Sequence, residues 1–158
     1  MLTPMIQPLV RRSVWLLLGA VGLCGCAGRT PFRIVLPDLP ATSVAELTAR
    51  YPLATGQTLR AERLGATANV SYHFVQLAPG AGERPHVHAR HDLVVTVLRG
   101  SGAQWIRDQP LPMKQGDSAV IPAGTPHRFV NGSDGVAAAL VIFAPPYDGG
   151  DQVLLDAP

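Results

Sequence analysis

Beyond residue 26 the sequence contains no cysteine; its only two are Cys24 and Cys26. A disulfide framework is excluded for the rest of the chain, whose stability must come from core packing or from a bound metal. Aromatic residues are scarce at 6% and charged residues low at 15%. Neither sign of charge dominates once the N-terminal Arg11 and Arg12 are set aside: the basic count falls from 13 to 11, against 11 acidic residues. The sequence pI near 8.8 therefore gives no support for nucleic-acid binding. No apolar run reaches the roughly 20 residues that a membrane-spanning helix needs. What is present is glycine and proline, 16 and 15 of them, among plentiful aliphatic and β-branched residues. In 158 residues, a one-domain length, this suits many short strands joined by tight turns and excludes a disordered chain.

The N-terminus reads as a targeting segment. Arg11 and Arg12 precede an apolar stretch from Val14 to Leu23, which is short for a span and right for a signal h-region. It runs into Leu23-Cys24-Gly25-Cys26, which resembles a bacterial lipobox with Gly25 before the cut and Cys26 as the lipidated residue. The expected division is a signal peptide over 1–25, a tether and short helix over 26–52, and a β-domain over 53–158. With Ala27 after the lipidated cysteine, the resemblance implies an outer-membrane lipoprotein facing the periplasm.

Along the mature chain, Ala27–Pro40 is Pro-rich and reads as the tether. Thr42–Tyr51 predicts a helix: Thr42 or Ser43 can cap it, Glu46 stands in its first turn, and Pro52 stops it. From Leu59 onward the pattern has the period of strands. Segments 59–64, 69–77, 93–98, 103–107, 118–121, 127–130 and 136–143 are each bounded by Gly, Pro, Asn or Asp, which predicts an all-β sandwich or barrel. The tail from Pro145, with Gly149-Gly150, is expected to be irregular or an edge segment.

Four of the five histidines fall in two clusters, His86, His88 and His91, then His127. His86 and His88 are two apart, so on a strand both rings leave the same face. A third ring from a distant strand can then converge with them on one metal ion. Imidazole suits Fe, Zn, Ni and Cu, and three such ligands leave coordination positions open for water or substrate.

The setting of these histidines resembles two spaced motifs of the cupin superfamily. Gly80, five residues, His86-Val87-His88 and then Gly100 follow the first, G-x5-H-x-H-x3,4-E-x6-G. Gly116, five residues, Pro122-Ala123-Gly124, two residues, His127, three residues, Asn131 follow the second, G-x5-P-x-G-x2-H-x3-N. Turns at Gly116-Asp117 and at 122–124 would aim His127 inward on the following strand. The resemblance spans about Tyr72 to Phe143 and implies a double-stranded β-helix, or jelly-roll barrel, with a divalent transition metal on His86, His88 and His127. It also implies a small-molecule ligand or substrate, and homodimer formation through sheet edges.

One position departs from the pattern. Six residues before Gly100 the slot for the family's metal-binding Glu holds Leu93, and Asp92 stands one residue earlier. Side chains alternate on a strand, so Asp92 and Leu93 cannot both face inward. Asp92 remains a candidate fourth ligand from a turn or bulge, or a group orienting His88, and His91 is a further candidate. Phe129, Leu93, Val95 and Trp105 are expected to line an apolar cavity around the metal, or simply to fill the barrel. His73 is read as structural, Arg84 and Arg90 as solvated loop charges. No general base stands out on the motif strands. A metal-dependent oxygenase or isomerase and a non-catalytic metal- or ligand-binding lipoprotein both fit this reading.

Overall fold

The period-two pattern resolves into strands in a computed structural model that describes residues 33–36 and 39–156; the targeting segment and Cys26 lie outside the described residues. Two strands, β1 (Arg33–Leu36) and β2 (Leu39–Ser43), pair antiparallel, and helix α1 (Val44–Arg50) follows. Ser43 is its N-cap in a reciprocal capping box: the Glu46 N–H donates to Ser43 Oγ at 3.2 Å and the Ser43 N–H to Glu46 Oε2 at 2.7 Å. This differs from the expected tether, part of which lies in the strands Arg33–Leu36 and Leu39–Ser43. Ile34 and Leu47 bury against Leu64, Phe74 and Leu98, so the apolar side chain of Ile34 draws the segment onto the domain.

The domain is a sandwich of two five-stranded antiparallel sheets. One has the order β3 (Leu59–Ala66), β4 (Ser71–Leu77), β11 (Ala137–Ala144), β6 (Asp92–Arg99), β9 (Ser118–Ile121). The other runs β12 (Gln152–Leu154), β5 (His86–His88), β10 (His127–Asn131), β7 (Ser101–Ile106), β8 (Gln109–Lys114). Alternate residues of the two inner faces meet between the sheets. One cluster joins Leu77 and Val97 of the first sheet to Met113 and Phe129 of the second, and another, Leu93, Val95, Ile121 and Phe143, lies on the inner face of the first sheet. The expected jelly-roll architecture with one short helix is the one found. Each predicted strand is present with its ends shifted by at most two residues. β8 escapes prediction because Pro110 and Pro112 argue against a strand; it is tolerated as a sheet edge, where missing N–H donors go unnoticed.

Three positions, two of them in the motifs, explain their residue types by geometry. Gly100 has φ +83°, and a Cβ there would meet Ser133 Oγ at 2.9 Å. At Gly102 a Cβ would overlap the Val130 carbonyl, so the β7–β10 pairing depends on a residue without a side chain. Asn131, 1% exposed, closes the second motif: its Nδ2 donates to the carbonyls of Leu77, Ala78 and Gly135 at 3.1, 2.9 and 2.9 Å, and its Oδ1 accepts from Ser133.

Candidate metal centre

Strand pairing brings the three motif histidines together. His127 stands directly across from His86 in the β10–β5 pair, and His88 shares the face of His86. Ring centroids are 4.3 Å apart for His86–His127, 5.2 Å for His86–His88 and 5.7 Å for His88–His127. All three residues are buried, and one ligand nitrogen from each lies within 4.8 Å of the others. The turn at 122–124 is tied to the first motif by the Gly124 N–H, which donates to the His88 carbonyl at 2.8 Å.

The donor chemistry fits a metal. His86 Nδ1 donates to the Arg84 carbonyl and His127 Nδ1 to the Thr125 carbonyl, both at 2.8 Å. A carbonyl only accepts, so each Nδ1 carries the proton and each neutral ring keeps its Nε2 lone pair for a metal. Burial lowers the His127 pKa to about 4 and lowers that of His88 too, only partly opposed by hydrogen bonds, so both rings are neutral near pH 7.

The centre opens into a cavity of about 370 Å³ between the sheets. Its wall is mainly apolar, with Leu93, Val95, Phe129, Val141 and Phe143 among the lining side chains. Phe129, Leu93 and Val95 therefore lie where expected. Trp105 does not: it pairs with Arg128 on the opposite face of the sheet, the Arg128 guanidinium 5.0 Å from its ring, while its neighbour Gln104 points inward. The alternation of β7 decides this, and the residue chosen from sequence had the wrong parity.

Asp92 is also corrected. β6 alternates regularly from Asp92 to Val97, Leu93 faces inward at 3% exposure, and Asp92 points to solvent. Its Oδ1 accepts the Ala123 N–H at 2.8 Å, so it braces the turn of the second motif and stands apart from the three-histidine group. His91 is buried but turned away from that group, its Nδ1 donating to Asp151 Oδ2 at 2.6 Å. His73, also buried, lines the cavity with its Nε2 3.0 Å from Ser71 Oγ, and burial lowers its pKa to about 4. Arg84 is exposed at the cavity rim and Arg90 pairs with Asp148 at the surface.

Two functional candidates escaped the sequence reading. Glu83, in the loop before β5, lines the cavity; its Oε2 accepts the Phe129 N–H at 2.8 Å. Burial pushes its carboxyl pKa up, against the opposing pull of His86 and that N–H. Asp151 is the other: 6% exposed, it accepts from the Arg90 backbone and from both His88 and His91. Burial raises its pKa, but these donors outweigh it and hold the carboxyl at about 2. Glu83 lay in a loop among other charges, and Asp151 in a tail with no strand pattern of its own.

Comparisons with known proteins agree with this picture. The Cupin domain family matches residues 73–143. An uncharacterised protein of Aquifex aeolicus (strain VF5) is 39% identical over 94 residues, covering 60% of this chain and 75% of that protein. A solved structure from Thermus thermophilus superposes with TM-score 0.58 at 26% identity, over 67% of this chain and 98% of its own. A sugar phosphate isomerase from a cupin superfamily, from Silicibacter pomeroyi, is 33% identical with TM-score 0.50, over 54% of this chain and 59% of that one.

Proposed function

The chain belongs to the cupin superfamily, and from that premise we propose that it is a metal-dependent enzyme of the cell envelope acting on a small, largely apolar molecule. One observation carries the reading. The Nε2 atoms left free on His86, His88 and His127 face an open, mainly apolar cavity rather than a packed wall. A structural metal is closed off by four protein ligands, whereas three ligands beside a cavity leave room for a reactant. A divalent transition metal held there would supply Lewis-acid or one-electron chemistry to a substrate oxygen.

The chain's own residues define what enters. Leu93, Val95, Phe129 and Val141 exclude water and favour an apolar body. Glu83, its pKa raised by burial, is placed to hold or accept a proton at the edge of the site. Among the described residues the only lysine or arginine lining the cavity is Arg84, at its rim, which is thin provision for a phosphate group. An oxygenase-type reaction on a thiol, phenol or diketone fits this lining better than a sugar phosphate isomerisation does. The second reading, a non-catalytic metal or ligand carrier, rests on how few ionisable groups line the cavity besides its histidines: Glu83, Arg84 and Tyr147. The lipobox-like run ending in Cys26 supports attachment to the outer membrane, with the domain in the periplasm. Sheet edges such as β12, with Val153 and Leu154 exposed, would serve homodimer formation.

Elemental analysis of untagged protein, followed by oxygen-uptake assays of the Fe-, Mn-, Zn-, Ni- and Cu-loaded forms with thiols and phenols, tests this. Near-stoichiometric metal and turnover, both lost in His127→Gln, are expected. Metal without turnover of any candidate favours the carrier, and no metal in either form sinks the centre itself.

A further inference from the structure

The three histidines do not orient their rings in the same way. His86 and His127 donate to backbone carbonyls only two residues earlier in their own strand entry, at Arg84 and Thr125. The partner of His88 is remote: its Nδ1 lies 3.1 Å from Oδ1 of Asp151, a residue 63 positions further on. Asp151 immediately precedes β12, which pairs with β5 in the register Gln152↔His88, Val153↔Val87, Leu154↔His86. All three residues of β12 are exposed, whereas Asp151 is 6% exposed. Apolar burial therefore contributes little at this edge, and the carboxylate is the anchor that enters the protein.

We propose that Asp151 is the positioning residue of the metal centre: through its hydrogen bond to His88 Nδ1 it fixes the ring with Nε2 toward the metal, and its bond to His91 holds the carboxylate in place. This rests on the metal-centre reading above and adds to it a part supplied by the C-terminal segment. The geometry is that of a carboxylate–histidine–metal triad, in which the carboxylate fixes tautomer and rotamer and raises the basicity of the ligating nitrogen. Asp151 itself is held from three sides: Oδ1 by His88, Oδ2 by the His91 ring at 2.6 Å and by the Arg90 N–H at 2.9 Å. Phe143 and Tyr147, stacked at 4.7 Å, meet the His88 ring edge-on at 5.0 and 5.1 Å and confine its remaining rotation. With Leu93 in place of a fourth ligand, a larger share of the metal's affinity falls on the precision of the three rings. A carboxylate that served only to pin the tail would leave the His88 tautomer indifferent to its removal.

The test uses the whole mature protein in two measurements. In the metal-free form, nitrogen-15 correlation spectra of labelled histidine should show His88 protonated on Nδ1, shifting toward Nε2–H in Asp151→Asn and Asp151→Ala. Cobalt(II) titrated against a competing chelator should bind Asp151→Asn about 10- to 100-fold more weakly than wild type. Asp148→Asn, which alters the exposed partner of Arg90, should match wild type in both. His88 found as the Nε2–H tautomer in wild type, or equal cobalt affinity in wild type and Asp151→Asn, overturns the proposal. Wild type that takes up no cobalt overturns the metal-centre reading itself, a different result from wild-type binding that Asp151→Asn preserves. Should Asp151→Ala fail to fold, the wild-type tautomer still decides.

Discussion

Replacing Leu93 with glutamate restores the residue type the family pattern calls for, and the structure allows the outcome to be worked through. Leu93 is 3% exposed, faces inward between Phe143 and Ile121, and lines the same cavity as His86, His88 and His127. Without metal, Leu93→Glu forfeits the burial of a leucine side chain, about 2 kcal/mol. It also leaves a carboxyl without a hydrogen-bond partner in an apolar wall, about 1–3 kcal/mol more. A total loss near 4 kcal/mol corresponds to a fall in Tm of roughly 15 °C for a domain of this size. With metal the sign reverses, because the carboxylate adds a fourth ligand to three imidazoles. Ligand at 1,000-fold excess over Kd contributes about 4 kcal/mol to the folded state, so the loaded variant should regain the stability its apo form lost. Scanning calorimetry with and without zinc, together with chelator competition, reads both effects. The expected pattern is a less stable apo protein that binds metal at least about tenfold tighter than wild type. A variant destabilised as described whose metal affinity is unchanged would refute the reasoning, because it would mean that position 93 does not look at the centre.

Further outcomes follow from particular contacts. His73 and His127 have folded pKa values lowered to about 4, mainly by burial, so on acidification from pH 6.5 the unfolded chain takes up protons that the folded state refuses. Apo stability should therefore fall as pH drops from about 6.5 toward 4, measured as a declining urea midpoint. Asn131→Ala removes two N–H donors shared among three carbonyls and the acceptor of two Ser133 hydrogen bonds, and should lose about 3–4 kcal/mol at roughly 1 kcal/mol per bond. Asn131→Asp should lose more, because it turns a carboxylate oxygen toward three carbonyls; equal urea midpoints for the two would speak against this role. Trp105→Ala should leave metal affinity within a factor of two by the same chelator titration, since the ring lies outside the cavity.

Features that arise from local spacing were legible in the chain alone. Alternation of apolar residues between Gly, Pro and Asn predicted seven strands that are all present, and of the two cap candidates, Thr42 and Ser43, the structure uses Ser43. The interval of two between His86 and His88 placed both rings on one face, and the second motif delivered His127 to them. Those relations survive because they depend on pleat and turn geometry, which a few neighbouring residues dictate. Alternation also foretold that Asp92 and Leu93 face opposite ways, but only the register of β6 against β11 and β9 decided which one entered the cavity. Trp105 was misplaced for the same reason, since parity along β7 is set by its partners across the sheet. The β1–β2 hairpin came from a segment whose prolines suggested a tether, and its anchor, Ile34, finds its partners only in the assembled core. Asp151 was beyond the reach of any local pattern: a lone carboxylate in an irregular tail becomes His88's partner because β12 adds to the edge of β5, 63 residues away in the chain. Spacing along the chain supplied the three ligands, and the pairing of distant strands decided which side chains hold them in place.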